Sequence, residues 1–328
     1  MKSRITFLVA CIVASWAGHA FSQIQEAPKI GVFFQPPRES ILDHDVEYKI
    51  NLSKLVGANY IRLNGSNLNF NEGALSQLEK AQKAGLKVVY HLCNRIRRDP
   101  SQAPQDMEAY KAQVRNMLAQ FKPDLLVIEN EETAPKFYAG TAGDYLKQLS
   151  AAAEVAHAMG VKITNGGLTT AQYNLIQYYQ DHGRKDKAQN LAARVLRPNQ
   201  ARRLAAGAPS PEQAAIIENG RKLIEGFRTA PIDYVNFHWY VNDPAALEEV
   251  VTYLQSATGK PAITTEMGQY DTAPETVARL MTKAYQLRLP YIIWYSGDAT
   301  RALGLQESDT KLRPNGEYFR HFLQQVNK

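Results

Sequence analysis

Cysteine, tryptophan and long hydrophobic runs are all scarce in this chain. Its 328 residues include two cysteines, Cys11 and Cys93, and three tryptophans. This excludes a small scaffold held together by disulfides, and we interpret Cys93 as a small buried residue rather than a nucleophile. Apart from Ile5–Ala17, no run approaches the about 20 apolar residues that a membrane-spanning helix requires. Hydrophobic residues make up 45% of the chain and charged residues 21%, as in ordinary globular proteins.

Common cofactor and metal motifs are also missing. No Gly-x-Gly-x-x-Gly follows the first predicted strand, which argues against a dinucleotide-binding fold. No His-Glu-x-x-His or similar spacing occurs, so we expect neither a metal ion nor a cofactor. A Schiff-base aldolase would need a lysine at the end of a late strand, and Lys260 lies before the seventh predicted strand, at the wrong end.

The N-terminus has the pattern of a secretory signal peptide. Two basic residues precede the apolar run, and Ala20-Phe21-Ser22 supplies small residues at a cleavage position. We expect residues 1–22 to be removed and residues 23–328 to form a secreted or periplasmic chain without a membrane span. An uncleaved anchor is the alternative.

The charge of the chain is mildly basic. The formal net charge is +6, and it falls to +4 without the signal peptide, because Lys2 and Arg4 leave and no acidic residue does. Small basic clusters occur at residues 95–98 and 202–203. Solvated surfaces explain them better than a nucleic-acid groove, so no nucleic-acid partner is expected.

From Lys29 onward, short apolar runs alternate with amphipathic helical segments. The predicted strands are residues 29–34, 59–63, 86–91, 125–128, 161–165, 233–238, 262–265 and 290–294. Eight strand–helix units favour a closed (β/α)₈ TIM barrel of the α/β class over an open doubly wound sheet.

The interval between the fifth and sixth predicted strands is unusually long. Residues 171–230 include helical sequence at Leu191–Arg203 and Glu212–Phe227. We interpret this interval as a helical insertion in a single catalytic domain, on the barrel face whose loops carry specificity. A small separate domain is the alternative.

Polar and aromatic residues gather where the predicted strands end. The candidates are Arg62, His91, Asn130, Glu131, His238, Trp239, Tyr240, Glu266 and Trp294. In a (β/α)₈ barrel, the carboxyl ends of the strands carry the chemistry. One carboxylate on each of two distant strands, Glu131 and Glu266, is the minimum for cleaving a glycosidic bond.

These motifs resemble clan A glycoside hydrolases, and family 5 (cellulase- and mannanase-like enzymes) in particular. In that clan the acid/base glutamate follows an asparagine at the end of strand four, and the nucleophilic glutamate ends strand seven. Asn130-Glu131 and Thr265-Glu266-Met267-Gly268 match those positions in this sequence. The resemblance covers residues 29–326 except the insertion, and it implies that Glu131 is the acid/base and Glu266 the nucleophile.

Family 5 adds accessory residues, and this sequence has them in the same order. Arg62 follows strand two, His91 strand three, His238-Trp239-Tyr240 strand six and Trp294 strand eight. The fourth strand departs from the pattern, with Glu-Asn-Glu-Glu where family 5 commonly has Trp-Asn-Glu-Pro. As a group, these accessory residues are expected to bind substrate.

The chemistry of the side chains fits these roles. A cation such as Arg62 favours the ionised form of a nucleophilic Glu266, and Tyr240 could donate a hydrogen bond to it. An apolar or like-charged setting would raise the pKa of Glu131, as an acid requires. Asn130 suits the sugar 2-hydroxyl, and Trp294 offers a face for stacking on a pyranose.

Several assignments have alternatives. Glu129 or Glu132 could be the acid in place of Glu131, although alternation along a strand sends neighbours to opposite faces. His91 could be a structural histidine, and Trp239 could pack in a loop.

The sequence thus predicts an exported, monomeric, retaining glycoside hydrolase that cleaves a β-linked oligo- or polysaccharide by a two-glutamate double displacement. A non-catalytic carbohydrate-binding barrel of the cell envelope is the alternative. A cell-envelope scaffold that uses the insertion as a partner surface is less favoured, because the insertion is rich in Arg, Lys and Gln. Glucan, mannan, galactan and small glycosides all remain open as substrates.

Overall fold

The computed structural model describes residues 26–34, 42–66, 71–94, 99–297, 303–308 and 310–327. The predicted signal peptide and the basic cluster at residues 95–98 lie outside these ranges, so export stays a prediction. Among the described helices, none is both long enough and apolar enough to cross a membrane.

Eight parallel strands form the central sheet. They are β1 (Lys29–Phe34), β2 (Tyr60–Ser66), β3 (Lys87–Cys93), β4 (Leu125–Ile128), β5 (Ile163–Asn165), β6 (Val235–Trp239), β7 (Ala262–Met267) and β8 (Tyr291–Gly297). Two further short strands, β9 (Gln306–Ser308) and β10 (Lys311–Leu312), pair antiparallel after the barrel.

Helices connect the strands and cover the outside of the barrel. They are α1 (Leu42–Val56), α2 (Glu72–Lys83), α3 (Met107–Gln120), α4 (Ala142–Ala158), α5 (Ala171–Asp181), α6 (Lys185–Val195), α7 (Pro198–Ala205), α8 (Pro211–Phe227), α9 (Pro244–Thr258), α10 (Pro274–Gln286) and α11 (Pro314–Val326). Local sequence sets several ends: capping boxes start α4 at Thr141 and α8 at Ser210, and left-handed Gly259 ends α9.

The strand order confirms the predicted (β/α)₈ barrel. Neighbouring strands follow the order β5-β4-β3-β2-β1-β8-β7-β6. Strands β5 and β6 complete the circle, where isolated bridges join Thr164 to Tyr234 and Leu168 to Phe237. All eight carboxyl ends therefore point to one rim.

Alternation along each strand separates two apolar layers. In β8, Tyr291 and Ile293 belong to the cluster that fills the barrel, whereas Ile292 and Trp294 belong to the larger cluster between sheet and helices. Successive side chains of a strand point to opposite faces, so a strand such as β8 supplies both layers.

The interval between β5 and β6 contains α5, α6, α7 and α8. The predicted helical sequence at Leu191–Arg203 is divided between α6 and α7. Arg197 is extended, with φ −63° and ψ 147°, directly before Pro198. A proline disfavours the helical conformation of the residue that precedes it, and this ends one helix before the next begins.

Candidate active site

Two glutamates meet at the carboxyl-end rim of the barrel. Glu131 follows β4, and Glu266 lies in β7. One carboxylate oxygen of each and a ring nitrogen of His238 all lie within 4.8 Å of one another. The side chains of Glu131 and Glu266 are 12% and 11% exposed, so both are largely shielded yet reachable from the rim.

Both oxygens of Glu266 accept hydrogen bonds. Arg62 Nη1 donates to Oε2 at 3.1 Å, and the Tyr240 hydroxyl donates to Oε1. Burial and the negative charge of Glu266 raise the pKa of Tyr240 well above its usual value, so the hydroxyl keeps its proton and remains a donor. These two donors fix the orientation of the carboxylate, as expected for a nucleophile.

His238 sets the environment of Glu131. Its Nδ1 lies 3.1 Å from Glu131 Oε1, and its side chain is fully buried. Burial raises the pKa of Glu131, but the hydrogen bond and charge of His238, together with Lys136 and Arg62, outweigh it. The pKa of Glu131 therefore lies below its usual value. The predicted elevation of this pKa is wrong for the free protein, because the sequence does not reveal the imidazole contact.

The backbone after β4 turns sharply and separates three neighbouring carboxyl groups. β4 ends at Ile128, and Glu129 and Glu131 then adopt positive φ angles of 62° and 44°. Such angles are uncommon for residues other than glycine and persist where surrounding contacts enforce them. Strand alternation was expected to direct Glu131 toward the site, and this explanation is wrong. A turn after β4 directs the side chain instead.

Glu129 is directed away from the pair. It is buried, and its Oε1 accepts hydrogen bonds from Gln148 Nε2 at 2.6 Å and from the Asn94 amide at 3.0 Å. Burial raises the pKa of Glu129.

Glu132 is also directed away. It is buried against Asn165, whose Nδ2 donates to Oε1 at 2.7 Å, and burial raises its pKa to about 7. The structure thus brings Glu131, and neither neighbour, to Glu266.

Arg62 connects the two elements that carry Glu131 and Glu266. Its side chain is 1% exposed, and its guanidinium lies 4.6 Å from the centre of the Phe33 ring. Nη2 donates to Asn130 Oδ1 at 2.9 Å, and Nη1 also donates to the Thr265 carbonyl at 3.0 Å. Arg62 and Asn130 therefore lie at the site, as predicted.

His91 lies behind the turn rather than beside the glutamates. It is buried, and its Nε2 lies 2.6 Å from the Glu129 carbonyl oxygen. This contact holds the backbone that aims Glu131. The structure favours the structural interpretation of His91 over substrate binding.

The two tryptophans do not face the rim. Trp239 is 1% exposed and Trp294 is fully buried. Both belong to the layer between sheet and helices, where Trp294 packs near Phe319 of α11. The predicted substrate-binding roles of Trp239 and Trp294 are wrong, because alternation turns these rings outward while His238 and Tyr295 face inward.

Tyrosines provide the aromatic surface that the tryptophans were expected to supply. Tyr240 stacks on Tyr270 with ring centres 5.2 Å apart and meets Tyr295 edge-on at 6.0 Å. Tyr270 is 75% exposed and lies three residues after the end of β7. Period-two counting along β8 could have identified Tyr295, but no sequence signal marks Tyr270, which lies in a loop.

Glu131, His238 and Glu266 are also of the residue types that ligate metal ions. Their nearest atoms are close enough for a small cation to reach all three. However, the Arg62 guanidinium already lies 3.1 Å from Glu266 Oε2, and its fixed positive charge opposes a divalent cation. The donor set therefore fits carboxylate chemistry better than a metal centre.

Part of the sequence matches a known family. Residues 180–289, about a third of the chain, match the family described as Glycosyl hydrolase catalytic core. The matched region includes His238 and Glu266, and Glu131 precedes it. No protein with a curated description matches the sequence.

Solved structures share the fold at low sequence identity. One is described with two fungal β-1,4-galactanases (TM-score 0.55, 12% identity, covering 90% of this chain and 99% of that one). Another is a family 128 subgroup II endo-β-1,3-glucanase from Sorangium cellulosum (0.53, 13%, 89% and 97%). A third is the catalytic domain of a mannanase from Streptomyces sp. SirexAA-E (0.52, 16%, 90% and 84%).

These comparisons do not single out family 5, which stays a prediction. The likeness in structure supports the fold, and the matched catalytic core supports glycan hydrolysis. Two glutamates thus meet at the ends of β4 and β7 of this barrel, and the region that contains Glu266 is similar to a glycosyl hydrolase catalytic core.

Proposed function

We propose that the protein cleaves β-linked glycans with retention of configuration, through a double displacement by Glu266 and Glu131. The observation that carries this proposal is the approach of the two carboxylates to within 4.8 Å. Retaining glycosidases hold their carboxyl groups about 5–5.5 Å apart, whereas inverting enzymes leave about 6.5–9.5 Å for a water molecule.

In the first step, a Glu266 oxygen attacks the anomeric carbon while Glu131 protonates the departing glycosidic oxygen. The bond from carbon to the leaving oxygen breaks, and a glycosyl–Glu266 ester forms. Arg62 and Tyr240 keep the attacking carboxylate oriented, since they bond to its two oxygens. In the second step, Glu131 takes a proton from water, and the resulting hydroxide displaces Glu266.

The first step requires Glu131 to be protonated. In the free protein the low pKa of this group favours the carboxylate. A bound sugar excludes water from the rim and brings the glycosidic oxygen to Glu131, which shifts the balance toward the acid. The proposal therefore implies an acidic pH optimum.

The aligned enzymes and the tyrosines support a choice of substrates. Two of the three are described as acting on β-1,4-galactan and β-1,3-glucan, and the third as a mannanase. The exposed Tyr270 ring offers a face for stacking on a sugar next to the cleavage point. These observations support oligosaccharides of β-1,3-glucan, β-1,4-galactan and mannan as the substrates to test.

Replacing the glutamates tests the proposed roles. Glu266→Ala should lower kcat by at least about 10⁴-fold on the cleaved oligosaccharide, because no nucleophile remains. Added azide should restore cleavage of an aryl glycoside and give a glycosyl azide of inverted configuration. Glu131→Ala should instead give, with azide, a product of retained configuration.

Glu129→Ala is the matched control. Glu129 is a buried carboxyl group in the same turn as Glu131, but it accepts a hydrogen bond from Gln148 and does not contact Glu266. It should lower kcat far less than either active-site change. If wild type binds an oligosaccharide without cleaving it, and Glu131→Ala and Glu266→Ala bind it equally well, the protein is a carbohydrate-binding barrel instead. Loss of activity with a chelator would favour a metal site.

The pH profile tests the role of His238. The first step needs protonated Glu131, so kcat/KM should fall as pH rises through the low pKa of this group. His238→Gln removes the interaction that lowers this pKa and leaves the burial that raises it. The pH at which kcat/KM falls should therefore be higher in this variant than in wild type.

His157→Gln is the control for that profile, because His157 is exposed and pairs with Asp233 at the opposite barrel end. Its profile should match wild type. If kcat/KM falls at the same pH in His238→Gln as in wild type, the imidazole does not govern the protonation of Glu131.

Tyr270→Ala tests the stacking surface. Loss of the ring should raise KM about five- to tenfold with a smaller effect on kcat, because stacking contributes about 1 kcal/mol. Tyr270→Phe should behave like wild type, and so should Tyr178→Ala, which removes an exposed tyrosine from α5. Equal KM values for Tyr270→Ala and wild type would remove this residue from the substrate site.

A further inference from the structure

The barrel is weakest in backbone pairing where β5 meets β6. Every other pair of neighbouring strands shares a ladder, but the described residues of this seam make two isolated bridges, Thr164–Tyr234 and Leu168–Phe237. The seam lies between the two halves of the site, since β5 borders β4 and β6 borders β7. Backbone hydrogen bonds cross the seam from the Asp233 amide to the Ile163 carbonyl and at Leu168, which bonds to Asn236 and His238. Side chains supply the remaining contacts across it.

Two asparagines bridge this seam with their side chains. Asn165 Nδ2 donates to the Asn236 carbonyl at 2.9 Å, and Asn165 Oδ1 accepts from the Asn236 amide at 2.7 Å. Asn236 Nδ2 donates in turn to the Asn165 carbonyl at 3.0 Å. Both side chains are fully buried, so these hydrogen bonds are made without competition from water.

The same asparagines reach the neighbours of both catalytic residues. Asn165 Nδ2 donates to Glu132 Oε1 at 2.7 Å, and Glu132 directly follows Glu131. Asn236 Nδ2 donates to Thr265 Oγ1 at 2.7 Å, and Asn236 Oδ1 accepts from the Thr265 amide at 2.9 Å. Thr265 directly precedes Glu266.

Arg62 closes these contacts into a ring. It donates to the Thr265 carbonyl and to Asn130, which directly precedes Glu131. The turn after β4 is thus held on one side of Glu131 through Asn130 and on the other through Glu132. Removal of one link opens the ring at that point.

We propose that Glu132, Asn165 and Asn236 are positioning residues that set the spacing of Glu131 and Glu266 across the β5–β6 seam. The inference rests on the proposed function, because it assigns a purpose to the spacing of the two glutamates. None of the three contacts the reacting atoms; each acts through the backbone beside a catalytic residue.

The packing around Glu132 supports this role. A Cβ atom added at Gly166 would lie 2.8 Å from Glu132 Oε2 and 2.5 Å from the Glu129 carbonyl oxygen, so the absence of a side chain there allows the turn to lie this close. The elevated pKa of Glu132 leaves it protonated at acidic pH. A neutral carboxyl group accepts the Asn165 hydrogen bond without placing a second buried charge beside Glu131.

Asn165→Ala and Thr164→Val form the matched test. Thr164 precedes Asn165, and its Oγ1 donates to the Tyr234 carbonyl at 2.9 Å across the same seam. It has a longer contact of 3.4 Å with Asn165 Oδ1 and does not bond to Glu132 or Thr265. Both variants should lower the Tm. Asn165→Ala alone should lower kcat, by about 100-fold with KM changed less than about threefold, because a displacement near 1 Å costs about that much.

Crystal structures of both variants supply a readout that does not depend on activity. In Asn165→Ala the distance between the Glu131 and Glu266 carboxylates should increase, and in Thr164→Val it should not. An unchanged distance in Asn165→Ala, or an equal loss of kcat in Thr164→Val, would overturn the proposal. If wild type cleaves none of the offered glycans, the proposed function fails, and the carboxylate distances still decide the inference.

Glu132 provides a second pair of variants if Asn165→Ala does not fold. Glu132→Gln retains an oxygen that can accept from Asn165, so its kcat should stay within about twofold of wild type. Glu132→Ala leaves Asn165 Nδ2 without this acceptor and should lower kcat as Asn165→Ala does. Equal losses in the two variants would show that the hydrogen bond to Asn165 is not what matters.

Discussion

The close approach of two carboxylates in a largely buried setting is the constraint on which the rest of this structure depends. Like charges within 4.8 Å repel each other, and burial strengthens that repulsion. The Arg62 guanidinium opposes it from inside the barrel, and His238 and Tyr240 supply further donors. Arg62 comes from β2, His238 from β6 and Tyr240 from the residue that follows β6. The barrel must therefore be closed for these groups to surround the pair of glutamates. The seam contacts of Asn165 and Asn236 serve the same requirement.

Much of this arrangement was predictable from the sequence, because local patterns determine it. Alternating strand and helix segments predicted eight strands, and the polar residues at strand ends then had to meet at one rim. Glu131 and Glu266 do meet there, as do Arg62, Asn130, His238 and Tyr240. Trp239 and Trp294 show the limit of that argument: listing residues near a strand end ignores which face each side chain occupies. Period-two alternation places both rings outside the barrel.

The remaining features depend on contacts between residues far apart in the chain. The low pKa of Glu131 results from His238, which is 107 positions away, and no local pattern encodes that pairing. Similarly, the turn that aims Glu131 is held by His91 and by Asn165 through Glu132. Tyr270 lies in a loop, where sequence patterns say least about side-chain placement. Long-range contacts thus determine how the site works, although local patterns determine where it lies.

Retention of configuration is the central claim, and the anomer released first tests it most directly. Wild type would be incubated with the oligosaccharide of β-1,3-glucan, β-1,4-galactan or mannan that it cleaves. The new reducing end would be followed by proton NMR before mutarotation. The double displacement through Glu266 predicts that the β-anomer appears first and the α-anomer grows in later. Initial release of the α-anomer would contradict it, since a single displacement by water would then have occurred.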